Sequence, residues 1–146
     1  MSAEFTYHIF EGLLIGYAGT HHFSISARSG GAGGSTKLDT TLDANNPYST
    51  CVAKEAGVRG GPLPVGRYHI GRPFRHPHLG PCAHLDPEPG TRLCGRSGFF
   101  IHGRGPMGSD GCIVPLERFA ELMEALQQEG GGKLYVSQAT GAGAFV

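Results

Sequence analysis

The sequence predicts a mainly β fold, a β-rich α+β domain with one amphipathic helix near its C-terminal end. Three observations carry that reading. The N-terminal third alternates apolar and polar residues in short runs. Glycine and proline number 25 and 10 in 146 residues, a composition that keeps regular elements short and separated by turns. Only one stretch, from Leu116 to Leu126, repeats apolar residues at helical spacing. A chain of 146 residues supports one hydrophobic core and is too short for two ordinary ones, so residues 1–146 are read as a single domain with a tail from 137 to 146.

Taken in order, Phe5 to Ile9 and Leu13 to Tyr17 flank Glu11-Gly12 as a hairpin, and His22 to Ala27 alternates as a third strand. Ser29 to Ser35 is a glycine-rich connector, and Asn45 to Ala56 reads as loop or short helix. Val65 to Ile70 is a strand. The proline-rich stretch from Arg72 to Thr91 is expected to be a long irregular loop packed over one side of the domain. Phe99, Phe100 and Ile101 form a short buried strand. Pro115 is expected to open the helix, whose Leu116, Phe119, Ala120, Met123 and Leu126 share the core-facing side with Leu122 at its border. Gly130 to Gly132 stop it, and Lys133 to Ser137 make a final strand.

Charge narrows the function classes. Twelve basic residues balance twelve acidic ones, and no basic stripe offers a nucleic-acid surface. No apolar run is long enough to span a bilayer, and the start, MSAEFTYHIF, lacks the charged and apolar regions of a Sec signal.

The segment Gly98 to Pro115, GFFIHGRGPMGSDGCIVP, places His102 and Cys112 ten positions apart. A cysteine attacks only as its thiolate and needs a base or a positive environment beside it. His102, fixed at the end of a strand, supplies the base. Gly103, Gly105, Gly108 and Gly111 let the connection turn back, and a helix begun at Pro115 puts Cys112 at the positive end of its dipole. On that reading the amides of Gly111 and Cys112 are available to a developing oxyanion. The alternative for these residues is a buried apolar cysteine and a hydrogen-bonded histidine without chemistry.

His76, His78, Cys82, His84 and Cys94 raise a competing metal reading, because zinc takes these atom types. Their spacing matches neither a paired CxxC nor a helical HExxH, and no metal or other cofactor is assigned. Cys82 and Cys94 are alternatively a disulfide closing the proline-rich loop, with Cys51 left over and Cys112 kept reduced.

Ile101-His102-Gly103 followed by Ser109-Asp110-Gly111-Cys112-Ile113 resembles the signature of the L,D-transpeptidase (YkuD-like) catalytic domains. Gly61 to Tyr68, GPLPVGRY, is similar to the PTPVG-type segment that leads into a strand in that family. The likeness is greatest to the divergent type VI secretion L,D-transpeptidase effectors, in which His and Cys are close in sequence and Asp replaces the second His. Ser26-Ala27-Arg28-Ser29-Gly30 and Asn45-Asn46-Pro47 also look like that branch, and the likeness runs from about Phe5 to Ser137. One departure is Val114, which stands where the cell-wall-building enzymes usually carry Arg. The short His102–Cys112 loop is the other, leaving less room for a lid.

The resemblance implies a β-sandwich catalytic domain that acts on peptidoglycan stem peptides and uses no cofactor. Cys112 is the nucleophile and His102 the base, with Gly111 beside the oxyanion. Either the Gly103 carbonyl or Asp110 orients His102; Asp110 is otherwise a turn or cap residue. Ser109, Arg104, Tyr68 and Arg96 are assigned to substrate contact, Ser109 being otherwise a local turn hydrogen bond. The implied activities are L,D-carboxypeptidase cleavage of meso-diaminopimelate–D-Ala and exchange with free D-amino acids. Implied partners are a type VI secretion apparatus and a cognate immunity protein, with action in the periplasm of target bacteria. The alternatives are a 3,3-cross-linking L,D-transpeptidase, another cysteine peptidase or amidase, and a non-catalytic zinc- or wall-binding module.

Overall fold

A computed structural model describes residues 2–30, 62–93, 97–103 and 111–137. Strands dominate it, with one helix among the described residues, in agreement with the β-rich α+β expectation. The strands are β1 (Ala3–His8), β2 (Leu13–Ala18), β3 (His21–Ser29), β4 (Gly66–Ile70), β5 (Phe74–His76), β6 (Gly80–Pro87), β7 (Phe99–His102), β8 (Ile113–Pro115) and β9 (Gly132–Ser137); helix α1 (Phe119–Glu129) lies between the last two. They form one sheet in the order β4-β9-β1-β2-β3-β8-β7-β6-β5, and a further β4–β6 pairing rolls the sheet onto itself. This pairing leaves short β5 at the edge.

The N-terminal meander follows the alternation of the sequence. Phe5 and Tyr7 of β1, Leu14 of β2, and Phe23, Ile25 and Ala27 of β3 point inward and are buried. The glycine turn of the first hairpin lets Gly12 donate to the His8 carbonyl at 2.9 Å, setting the register Tyr7↔Leu14. β9 returns parallel to β1, with Phe5 beside Leu134 and Tyr7 beside Val136, and pairs antiparallel with β4 on its other edge. Helix α1 closes the core with Leu122, Met123, Ala125 and Leu126, while Phe119 packs at its margin.

Two expectations are corrected. The stretch from Arg72 to Thr91 is not an irregular loop, because it contains β5 and β6. Its prolines sit where ladder bonds are not required: Pro73 precedes β5, Pro77 lies in the turn, and Pro81 and Pro87 bracket the paired run Cys82 to Leu85. Gly71 donates to the His84 carbonyl at 2.9 Å, so β4 and β5 run along one edge of β6 as an interrupted strand.

The second correction concerns the helix start. Pro115 ends β8 rather than opening α1, because β3 captures this segment in the register Ala27↔Pro115, Arg28↔Val114 and Ser29↔Ile113. Leu116 then donates to the Ser26 carbonyl at 2.9 Å, and Glu117 accepts from the Ser26 amide at 2.9 Å. The helix begins after Arg118, which adopts a left-handed φ of 53° and stacks its guanidinium on Phe23 while pairing with Glu121. Leu116 and Ala120, assigned from spacing to the core-facing side, are consequently exposed.

Candidate active site

β6, β7 and β8 bring the chemistry-bearing residues to one face of the sheet. In β7, Phe99 and Ile101 point into the core, so Phe100 and His102 point to the other side. The β6–β7 register sets Cys82 opposite His102 and His84 opposite Phe100; β5 adds Phe74 opposite Cys82. One row across the sheet is therefore Phe74, Cys82, His102. The next row carries His84 and Phe100.

Cys112 enters that second row from the turn ahead of β8. β7 and β8 are parallel with Ile101 beside Ile113, which brings Cys112 level with Phe100. The Phe100 amide donates to Cys112 Sγ at 3.3 Å, taking the sulfur as its acceptor. His102 stands two residues beyond Phe100 on the same face, a rise of about 6.6 Å along the strand. His102 and Cys112 are both nearly covered, at 5% and 9% exposure, so both are largely shielded from bulk water.

The expected source of thiolate stabilisation is corrected. With β8 and three further residues between Cys112 and α1, the cysteine is not at the N-terminus of α1, and the dipole of that helix does not act on it. The amides of Gly111 and Cys112 belong instead to the bend ahead of β8, in which Gly111 takes a φ of 105°, a conformation that favours glycine. Its carbonyl accepts a hydrogen bond from Ser29 Oγ at 3.1 Å, and the same Oγ accepts from the Leu63 amide at 2.9 Å. Ser29 is fully buried. Its place at the end of an alternating strand was the available signal for this role, but the following glycines made it read as the start of a connector.

Gly103, immediately after His102, lies under the helix. A Cβ there would meet the Phe119 ring at 2.5 Å, so the glycine lets α1 seat against the end of β7. Tyr68 is corrected from a substrate contact to a core residue: its ring meets Phe99 edge-on at 6.4 Å, and its hydroxyl donates to the Pro64 carbonyl at 2.7 Å. Being wholly buried, it offers no surface to a ligand. Arg96, Arg104, Ser109 and Asp110 lie outside the described residues, as do Cys51 and Cys94.

Cys82 carries a free thiol rather than a half-cystine in this structure. Burial pushes that thiol up from its ordinary value, against the lowering effect of a backbone hydrogen bond from His76, which makes it a poor nucleophile at neutral pH. His84 stacks on Phe74 at 4.8 Å and tilts against Phe100 at 4.7 Å, while His76 Nδ1 accepts from the His78 amide at 3.0 Å. Among the described residues, no three His, Cys, Asp or Glu side chains converge as metal ligands do. No helix among them is long and apolar enough to cross a membrane.

This rolled β-sheet is similar in fold to a solved structure. The crystal structure of the helical cell shape determining protein Pgp2 (K307A mutant) from Campylobacter jejuni matches with a TM-score of 0.53 at 18% identity, over 95% of this chain and 48% of that one. The chain thus spans about half the length of the structure it matches. No family model and no curated protein matches the chain.

Proposed function

We propose that this chain is a peptidoglycan-modifying cysteine enzyme, an L,D-carboxypeptidase and D-amino-acid-exchanging L,D-transpeptidase. The observation that carries the proposal is the placement of Cys112 Sγ on the Phe100 amide, with His102 on the same face of the adjoining strand. Support for a cell-wall substrate comes from the resemblance of the His102–Gly103 and Ser109–Ile113 elements and from the fold shared with a cell shape determining protein.

In this mechanism His102 takes the thiol proton, and the Cys112 thiolate attacks the carbonyl of meso-diaminopimelate in a stem tetrapeptide. The carbonyl π bond breaks to give an oxyanion, which the Cys112 amide stabilises. Collapse restores the carbonyl and breaks the C–N bond to D-Ala, whose amine leaves with the proton held by His102. A thioester on Cys112 remains. Water, deprotonated by His102, releases a tripeptide; the amine of a free D-amino acid instead gives an exchanged tetrapeptide. Among residues outside the described segments, Asp110 and Ser109 complete the motif, and Arg104 and Arg96 supply positive charge for the substrate carboxylate.

The biological setting proposed is that of a type VI secretion effector, delivered into the periplasm of target bacteria and neutralised by an immunity protein in the producer. It rests on the resemblance to that branch. Digestion of tetrapeptide-bearing muropeptides tests the activity. Tripeptides and D-amino-acid-exchanged tetrapeptides are expected to dominate; mainly new 3,3 cross-links would make a wall-building enzyme the better description, and cleavage at another bond a different peptidase or amidase. Directing the chain to the periplasm of a Gram-negative host should be harmful and cytoplasmic expression tolerated, with equal toxicity in both contradicting the periplasmic target.

A further inference from the structure

Ser29 grips both sides of the proposed nucleophile. Its backbone pairs with Ile113 in the β3–β8 ladder, and its side chain reaches Gly111, so the residues on either side of Cys112 are tied to one position. The hydroxyl's single proton has a defined destination. Because the Leu63 amide donates to Ser29 Oγ, the oxygen serves there as acceptor and gives its own proton to the Gly111 carbonyl.

That carbonyl and the Cys112 N–H belong to one planar peptide unit. No cis peptide occurs among the described residues, so holding the oxygen toward Ser29 turns the Cys112 N–H to the opposite side. The orientation needs a holding group, since Gly111 is at a φ of 105° and glycine moves easily among alternatives. A hydrogen bond to the carbonyl also polarises the amide and strengthens its N–H as a donor.

We infer that Ser29 is a positioning residue that aims the Cys112 amide at the oxyanion formed when the adjacent sulfur attacks. The inference rests on the proposed Cys112 chemistry and goes beyond it by assigning this task to a buried hydroxyl on another strand. The hydroxyl touches neither substrate nor sulfur in this role, so its loss should affect acylation and not thiolate formation.

The experiment compares Ser29→Ala, Ser29→Thr and Ser29→Val with the unaltered chain, using tetrapeptide muropeptide as substrate and iodoacetamide as the thiol probe. Removing one oxyanion donor costs about a hundredfold to a thousandfold in kcat. Misaiming it in Ser29→Ala is expected to cost roughly tenfold to a hundredfold, with KM little changed. The pH profile of Cys112 alkylation should stay where it is, because that reaction forms no oxyanion. Thr and Val add equal bulk, so Ser29→Thr should outperform Ser29→Val by a similar factor even if both are less stable. The Cys112 amide resonance should shift in Ser29→Ala and Ser29→Val.

The inference is overturned if kcat stays within twofold in Ser29→Ala, if Thr and Val behave alike, or if alkylation slows in step with acylation. Turnover by Cys112→Ala would instead overturn the proposed function, and the amide resonance would still report whether Ser29 holds the Gly111–Cys112 peptide.

Discussion

Replacing Gly103 with alanine perturbs the contact between the end of β7 and helix α1 without forcing a backbone change, because Gly103 has no left-handed φ. The new methyl would lie 2.5, 2.7 and 2.9 Å from Cδ2, Cε2 and Cγ of Phe119, well inside van der Waals distance. Either the ring swings out or the helix lifts. Overpacking of this kind costs about 1–3 kcal/mol. At about 3–4 °C per kcal/mol for a domain of this size, the melting temperature should fall by roughly 3–12 °C. His102 is the preceding residue, and a displacement near 1 Å at a reacting group costs about a hundredfold in rate. Thermal melts and steady-state turnover of Gly103→Ala, Phe119→Ala and the double variant form the assay. With the ring gone, the three close contacts of the Gly103→Ala methyl are removed, so its penalty should shrink and the cycle should show a coupling of about 1–3 kcal/mol. An unchanged melting temperature, or strictly additive effects, would refute the seating of Phe119 on Gly103.

Other outcomes follow from the same geometry. His102→Ala should lose at least about a hundredfold in turnover and slow the alkylation of Cys112 at neutral pH; unchanged alkylation would assign thiolate stabilisation to the Phe100 amide alone. Limited iodoacetamide at neutral pH should label Cys112 and spare Cys82, whose thiol burial pushes up, with peptide mapping as the readout and preferential labelling of Cys82 as the contrary result. Burial also raises the Tyr7 phenol far above its ordinary value near 10, so the fold favours its neutral form. This contribution is intact below about pH 10 and is lost as pH rises, because the unfolded chain then releases the proton first. Tyr7→Phe should flatten the alkaline arm of a stability–pH curve, leaving a residual slope from Cys82; an unchanged arm would contradict the assignment.

Strands with a clean period of two were legible in the sequence. β1, β2 and β3 need only one buried face, and Phe5, Tyr7, Phe23 and Ile25 announce it. β7 was legible for the same reason, and with it the anchoring of His102 at a strand end. The β5–β6 hairpin was obscured by local proline chemistry, since Pro77, Pro81 and Pro87 suggest a loop until their positions at turns and strand ends are seen. The helix start was obscured by a long-range term. Pro115 suits the first turn of a helix, but the β3 ladder, nearly ninety residues earlier in sequence, offers hydrogen bonds that the local preference does not outweigh.

The site divides the same way. The proximity of Cys112 to the strand that carries His102 was legible in the Gly98–Pro115 segment, and their chemistry is the proposal built on it. What holds them was not: the Phe100 amide on the sulfur and the Ser29 hydroxyl on the Gly111 carbonyl both depend on strands meeting across the sheet. Tyr68 shows the reverse error. Its neighbourhood in a recognisable segment suggested a substrate contact, while the period of β4 turns it to the core with Ile70.

In the proposed reaction Cys112 forms the covalent intermediate. Rapid mixing of the protein with a tetrapeptide muropeptide, acid quenching and intact-mass analysis test it most directly. An adduct equal to the substrate less D-Ala is expected on the Cys112 peptide, absent from Cys112→Ala and longer-lived when water competes poorly. Turnover by Cys112→Ala, or an adduct carried by any other residue, would contradict it.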